Sequence, residues 1–403
     1  MSVYGILSDD REEQYRSLRK KILDELGTRQ EETDQQVKEE IFWSVADAAE
    51  TYGFTARDRA EMGKRLYNSL RGLDILQPLL DDPEVTDIMV NGPEHVYVEK
   101  GGVLQEAHVC FESAARLEDV IQQVVGSVNR KDNENEPIAD ARLADGSRVN
   151  VILPPVALNG PALTIRKFRK IPIQAEELVN WGTMTQEAAD FLRSMVVNRY
   201  NIFVCGGTGA GKTTLLNVLS NFIPPQERII TIEDAAELRL QPENIVTLET
   251  REGGISGRNR ITMGDLIRTS LRARPDRIIV GEIRGPEAVA MLTAMNSGHD
   301  GSLSTGHGNS AQDMISRIET MVLMGMDIPL AAIRQQIASA LDIFVYIRRM
   351  RDGKRKITQI SQVVGADGSG VRLEDLFCLQ EDVLVRTAAE VRRKKGNYAE
   401  QAF

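Results

Sequence analysis

Short apolar runs and longer amphipathic stretches alternate along most of the chain. Near the start, Tyr15, Leu18, Ile22 and Leu26 recur at helical spacing; after Gly27 and the polar run TRQEETDQQ, a second helical segment carries Val37, Ile41, Val45 and Ala48. Residues 1–72 are therefore expected to form a helical segment, a docking arm with no chemistry of its own. From about Asp74 the texture changes. VTDIMVNGPEHVYVEKGG holds two β-type runs around a turn at Asn91-Gly92, Leu117 to Val128 follows an amphipathic helical pattern, and RVNVILPP and ALTIRKF are further strands. This predicts an α+β domain over 73–170, followed by a linker over 171–183 (IPIQAEELVNWGT).

From 184 to 403 the pattern switches to alternation of strands and helices. NIFVC, RIITI, NIVTLE, RIIVG, GSLST and DIFVYIRR are apolar β-rich runs with helical stretches between several of them. That is the signature of an α/β domain with a mostly parallel sheet wrapped by helices. The tail from Leu373 is predicted helical and ends in the basic cluster Arg392, Arg393, Lys394 and Lys395, whose simplest reading is a solvated face.

Composition narrows the class. At 403 residues the chain exceeds the size at which one core stops growing, and its 42% hydrophobic and 27% charged content is that of a soluble globular protein. A net charge of −10 argues against a broad nucleic-acid footprint. The richest apolar stretch, Met321 to Ile347, is interrupted by Asp327, Arg334, Gln335, Gln336 and Asp342, so no spanning helix is expected. The start, MSVYGILSDD, lacks the basic head and apolar middle of a secretory signal. Cys110, Cys205 and Cys378 form no CxxC pair, which argues against zinc and for a reducing cytoplasm.

The chemistry concentrates where strands end. GGTGAGKTT, comprising Gly206, Gly207, Thr208, Gly209, Ala210, Gly211, Lys212, Thr213 and Thr214, follows a strand and opens a helix. Its glycines let backbone N–H groups turn inward around phosphate oxygens, the helix N-terminus adds partial positive charge, Lys212 reaches the β- and γ-phosphates, and the Thr213 hydroxyl is placed to ligate Mg²⁺. ATP and Mg²⁺ are the implied cofactors. In open parallel sheets ligands bind beyond the carboxyl ends of strands. RIITI ends in Glu233 and Asp234, with Glu237 a helical turn beyond; RIIVG ends in Glu282, with Arg284 close behind; GSLST ends in His307. Glu282 is the candidate general base and, through water, a Mg²⁺ holder; its alternative is an ion pair with Arg284 or Arg277. Glu233 and Asp234 hold Mg²⁺ through its waters or share the base role, unless Asp234 is only a helix cap. His299 and His307 bracket GSLST and suit phosphate sensing or a relay across a subunit boundary better than a metal pair or plain core histidines. No adenine-reading residue can be named.

Together GGTGAGKTT, TIEDAAEL, RPDRIIVGEIRG and GHDGSLSTGH resemble the Walker A, Asp box, atypical Walker B and His box of the type II/type IV secretion ATPase superfamily, over about residues 75–365. LDDPEVTDIMVNGPEHVYVEKGG and DARLADGSRVNVILPP resemble its amino-terminal domain, and the whole is most similar to the tight-adherence (Flp, type IVb) pilus ATPase branch, CpaF-like. The resemblance implies a PAS-like α+β domain before a RecA-like P-loop domain, a homohexamer, and a motor at the cytoplasmic face of the inner membrane that drives pilus assembly through a platform protein. The alternative is an ATPase for DNA transfer or effector secretion. It also implies arginines reaching the γ-phosphate from the amino-terminal domain, at Arg148 and Arg166 and, further, Arg142 and Arg169. Two features depart from the superfamily: glycines Gly306 and Gly308 flank His307, and the tetracysteine zinc module of some members is absent. A nucleotide-gated scaffold without turnover is disfavoured by intact Lys212, Thr213 and Glu282. A RecA-like DNA enzyme is disfavoured by the acidic balance.

Overall fold

A computed structural model describes residues 9–26, 33–126, 137–168, 172–251 and 260–392. The chain divides into two compact units, 1–170 and 171–403. Among the described residues no helix is long and apolar enough to cross a membrane.

The first unit begins with a bundle of α1 (Asp9–Leu26), α2 (Asp34–Tyr52) and α3 (Ala56–Arg71). Capping boxes start two of these helices, Thr33 with Gln36 and Thr55 with Asp58, and Gly53 in the left-handed region ends α2. Tyr15, Leu18 and Ile22 of α1 and Val37, Ile41, Val45 and Ala48 of α2 turn inward as anticipated, and they meet Met62 and Leu66 of α3, a helix the apolar pattern alone did not announce. The segment is thus a packed bundle with its own core.

A 3₁₀ turn and α4 (Gln77–Asp81) lead into β1 (Val85–Asn91), β2 (His95–Lys100), β3 (Val103–Glu106), α5 (Ala114–Gly126), β4 (Ile138–Arg142), β5 (Arg148–Ile152) and β6 (Ala162–Arg166). The six strands form an antiparallel sheet in the order β3-β2-β1-β6-β5-β4. Alternate residues such as Ile88, Val149, Leu163 and Ile165 pack with Leu117, Val120 and Ile121 of α5, while Arg148, Thr164 and Arg166 point to the open face.

The second unit contains α6 (Ala175–Asn180), α7 (Gln186–Val197), β7 (Ile202–Gly206), α8 (Lys212–Ser220), β8 (Ile229–Glu233), β9 (Ile245–Glu249), α9 (Met263–Ser270), β10 (Arg277–Ile283), α10 (Glu287–Asn296), β11 (Leu303–His307), α11 (Ala311–Gly325), α12 (Leu330–Ala340), β12 (Ile343–Arg349), β13 (Arg355–Asp367), β14 (Gly370–Gln380) and β15 (Val383–Arg386). Its nine strands run in the order β15-β14-β13-β12-β7-β11-β10-β8-β9; β12 through β9 are parallel, and β13, β14 and β15 continue from β12 as an antiparallel meander. The sheet's central strands β7, β8, β10 and β11 are buried on both faces. Ile202 and Val204 of β7 join one core and Phe203 and Cys205 the other, which is why its strands read as continuous apolar runs.

Two expectations are corrected. The segment 171–183 is no slack linker: α6 lies in it, and Ala175 and Leu178 are buried in the second unit's core. The tail from Leu373 is not helical. It belongs to β14 and β15, and their register shifts against β13 place Leu376 and Phe377 side by side in the core, so the apolar spacing mimics a helix. Arg392 pairs with Glu374 at 2.7 Å; Arg393, Lys394 and Lys395 lie outside the described residues.

Candidate active site

The parallel order sets the site. Reading along the carboxyl-end edge, β7 delivers the glycine loop, β11 delivers His307, β10 delivers Glu282 and β8 delivers Glu233. Neighbouring strands lie about 4.8 Å apart, so these groups form a row roughly 14 Å long.

The loop between β7 and α8 turns through Gly209 (φ +69) and Gly211 (φ +94), backbone conformations that L side chains rarely adopt. Gly211 leads straight into α8, whose first residues are Lys212, Thr213 and Thr214. The first N–H groups of a helix have no intrahelical partners and face the loop's concavity, a setting suited to an anion. Arg355 of β13 donates from Nε to the Gly209 carbonyl at 3.0 Å and so braces the loop from behind.

Lys212 is 7% exposed, and its Nζ lies 3.2 Å from the Gly207 carbonyl oxygen and 3.2 Å from His307 Nδ1. His307 Nε2 lies in turn 2.8 Å from Glu282 Oε1, and Glu282 Oε2 accepts from Arg284 at 2.8 Å. Burial holds the His307 imidazole below its ordinary pKa, opposed by Glu282 and reinforced by Lys212. At neutral pH the ring is therefore neutral, with Nδ1 facing the lysine as acceptor and the Nε2–H turned to the carboxylate. The result is a continuous chain, lysine to imidazole to carboxylate to guanidinium. It keeps the Arg284 alternative for Glu282; Arg277, by contrast, is fully buried against Glu227 at 2.6 Å. Pairing with Glu282 also raises the Arg284 pKa.

Glu233 sits on the same edge but is turned inward, 3% exposed, accepting from the backbone N–H groups of Glu237 and Leu238 at 3.0 and 3.1 Å. Burial pushes its pKa up to about 7. Gly281 makes room for it: a Cβ there would come within 2.9 Å of Glu233 Cγ. The segment after β8 is an extended loop, so Glu237 is not a helical turn beyond and Asp234 caps no helix; Asp234 is exposed and accepts from the Thr250 hydroxyl at 3.3 Å. His299 departs furthest from expectation. It precedes β11 while His307 ends it, so within one copy a whole strand of a parallel sheet separates His299 from the phosphate loop. Its ring contacts Ser297 at 3.3 Å.

In the first unit Arg142, Arg148 and Arg166 stand in direct register across β4, β5 and β6, and Asp87 of β1 comes next in the row, 4.0 Å from Arg166. Like charges directly opposite one another weaken a sheet, so three in a row constitute a surface suited to an anion. Arg169 lies outside the described residues.

One feature escaped the sequence. Beside Gly211 and Thr214 a cavity of about 210 Å³ is lined by Ile173, Leu178, Trp181 and Ile347, with Thr183 and Arg355 at its margin. Four of these residues, Ile173, Leu178, Trp181 and Thr183, come from the stretch taken for a linker. The one signal available was an aromatic, Trp181, in a segment otherwise expected to be solvent-bound.

The family model described as type II/IV secretion system protein matches residues 69–374. The conjugal transfer protein TrbB of Rhizobium radiobacter is 32% identical over 330 residues, covering 81% of this chain and 98% of that one. Protein VirB11 of Agrobacterium fabrum is 32% identical over 313 residues, covering 69% and 90%. Among solved structures, the pilus retraction motor PilT with bound ADP shares the fold with a TM-score of 0.53 and 20% identity, covering 80% of this chain and 85% of that one.

Proposed function

The chain belongs to the type II/IV secretion system protein family and is an ATPase, and from that premise we propose that it powers a type IV conjugation or secretion system. The observation that carries the catalytic assignment is the chain of contacts from Lys212 through His307 to Glu282 on the phosphate-loop edge. Loop N–H groups, the α8 N-terminus and Lys212 hold the β- and γ-phosphates, and the donor chemistry fits a nucleotide triphosphate. Glu282 orients the attacking water and takes its proton, with Arg284 keeping the carboxylate aimed. His307 reports the phosphate: when Lys212 turns to the nucleotide, Nδ1 loses its lysine partner and the imidazole can shift toward Glu282. The cavity beside Thr214 takes the base, with the half-exposed Trp181 as its stacking face. Mg²⁺ would be held by the Thr213 hydroxyl and, through water, by Glu282 and Glu233, and supplies charge neutralisation at the phosphates.

The arginine row of the first unit, on what we take to be the PAS-like domain, clamps the γ-phosphate and couples hydrolysis to domain closure. Around this cycle we place a homohexamer at the cytoplasmic face of the inner membrane, working on a platform protein. Conjugation relatives at over 30% identity favour transfer of DNA or effectors as the work performed. Assembly of a tight-adherence pilus, supported by the resemblance of the motif set over about residues 75–365, stands second.

Steady-state hydrolysis and nucleotide binding test the site. Glu282→Gln is expected to lower turnover by about 10²–10⁴-fold with nucleotide affinity nearly unchanged; equal rates would remove the catalytic assignment. Deleting the gene should abolish substrate transfer between cells. Loss of surface pili with transfer intact would reverse the two readings.

A further inference from the structure

Away from the nucleotide site, the bundle of the first unit carries an open groove between α2 and α3, of about 390 Å³. Its α2 wall is Lys38, Ile41, Phe42, Val45 and Ala46, and its α3 wall Arg59, Ala60, Gly63, Lys64 and Tyr67. Both sets span two helical turns on one face. Ile41 and Val45 form a floor at 4% exposure, while Phe42 stands 64% exposed at the lip, beside Trp43 at 65%.

Gly63 has no account within the chain. It lies mid-helix with ordinary helical φ, where glycine is unfavourable, and a Cβ there would meet only Ile41 Cγ2 at 3.9 Å. Neither a turn nor a tight helix–helix approach requires it; what its missing side chain provides is groove. The lining also carries three cations and no acid, on a chain of net charge −10. Lys38 is paired with Asp34 at 2.7 Å, whereas Arg59 and Lys64 have no acidic partner among the described residues.

We propose that this groove docks an acidic amphipathic helix of a protein partner, which inserts apolar side chains spaced i, i+3 or i+4, and i+7 over Ile41, Val45 and Gly63 and sets carboxylates against Arg59, Lys64 and Lys38. A concave apolar floor favours side chains from a helix over a bilayer. The exposed Phe42 and Trp43 at the lip would by themselves suit an anionic membrane, but the floor of Ile41 and Val45 is recessed between two helices, where single side chains enter and a bilayer surface does not. The occupant covers two turns, so the contact is small and reversible, as suits a subunit that engages its machinery during a work cycle.

The test uses the full chain and a fluorescein-labelled synthetic helix with leucines at i, i+4 and i+7 flanked by glutamates, followed by anisotropy. Saturable binding is expected, weakened about tenfold or more by Gly63→Leu and by Ala60→Trp, which fill the groove from within and at its mouth. Lys64→Glu should weaken it severalfold, and a peptide with lysines in place of glutamates should bind about tenfold less tightly. Unchanged ATP hydrolysis by both groove-filling variants verifies the fold. The proposal is overturned if the acidic peptide does not bind, if the lysine peptide binds as well, or if both groove-filling variants leave affinity intact. Binding to phosphatidylglycerol vesicles that Gly63→Leu abolishes would also overturn it and assign the groove to a membrane.

Discussion

The two sheets of this protein place their charged groups in opposite ways. The parallel sheet of the second unit is covered on both faces, and β7 and β8 are buried along their whole length. Such a sheet cannot carry charge along its strands, so its chemistry is pushed out to the strand ends, where loops and helix termini provide polar partners. The antiparallel sheet of the first unit has one open face, and there Arg142, Arg148 and Arg166 stand in register at one end of β4, β5 and β6, with their side chains on the face of the sheet. A buried sheet makes a site that is fixed by topology and shielded from water. An open sheet can instead offer an anion the outward side chains of paired strands, with no loop or helix terminus contributing.

Substitutions at three places break or sharpen that contrast. The largest effect belongs to the open face: Arg148→Ala or Arg166→Ala should lower hydrolysis by about 10²–10³-fold, the usual cost of losing one donor to developing charge. Full activity in both variants would reduce the row to a surface feature. The buried edge is probed by Glu233. Its pKa is about 7 against an ordinary 4.5, so the stability tied to its protonated form is complete below about pH 4.5 and is lost as pH rises through about 7. At about 1.4 kcal/mol per pKa unit this is at most about 3 kcal/mol. Urea melts of Glu233→Gln should lose most of that pH dependence, and a wild-type curve flat from pH 5 to 8 would contradict the inward placement. The smallest effect separates the two ends of β11. His307→Ala should slow turnover about tenfold, or ~1.4 kcal/mol, and His299→Ala by less than about twofold; equal losses would call for a role of His299 in a neighbouring copy.

The same contrast explains what could be read from the residues alone. The strands of the parallel sheet were legible because a strand buried on both faces is short and predominantly apolar or uncharged, and the end of β8, β10 and β11 is marked by an ionisable residue: Glu233, Glu282, His307. Pairing the two histidines was misleading because sequence proximity across a single strand means opposite ends of the molecule's sheet. The tail failed for a related reason. Register shifts in β13 against β14 put Leu376 and Phe377 inside together, and alternation, the one signal that distinguishes a half-buried strand, was lost. The third helix of the bundle carries few apolar residues and a glycine at its middle, so its evidence was the Thr55–Asp58 cap rather than periodicity. The cavity beside Thr214 depends on residues brought together from α6, α8 and β12, which no local pattern links.

Lys212 is already engaged by a carbonyl oxygen and an imidazole nitrogen. A phosphate therefore acquires that ammonium only by exchange, trading two protein acceptors for its own oxygens, and the vacated imidazole nitrogen is left free to bind hydrogen. On the proposed reading, nucleotide capture and proton traffic are tied to one side-chain swing, and the affinity of the site is a difference between two sets of partners that shifts with the acidity of the surroundings.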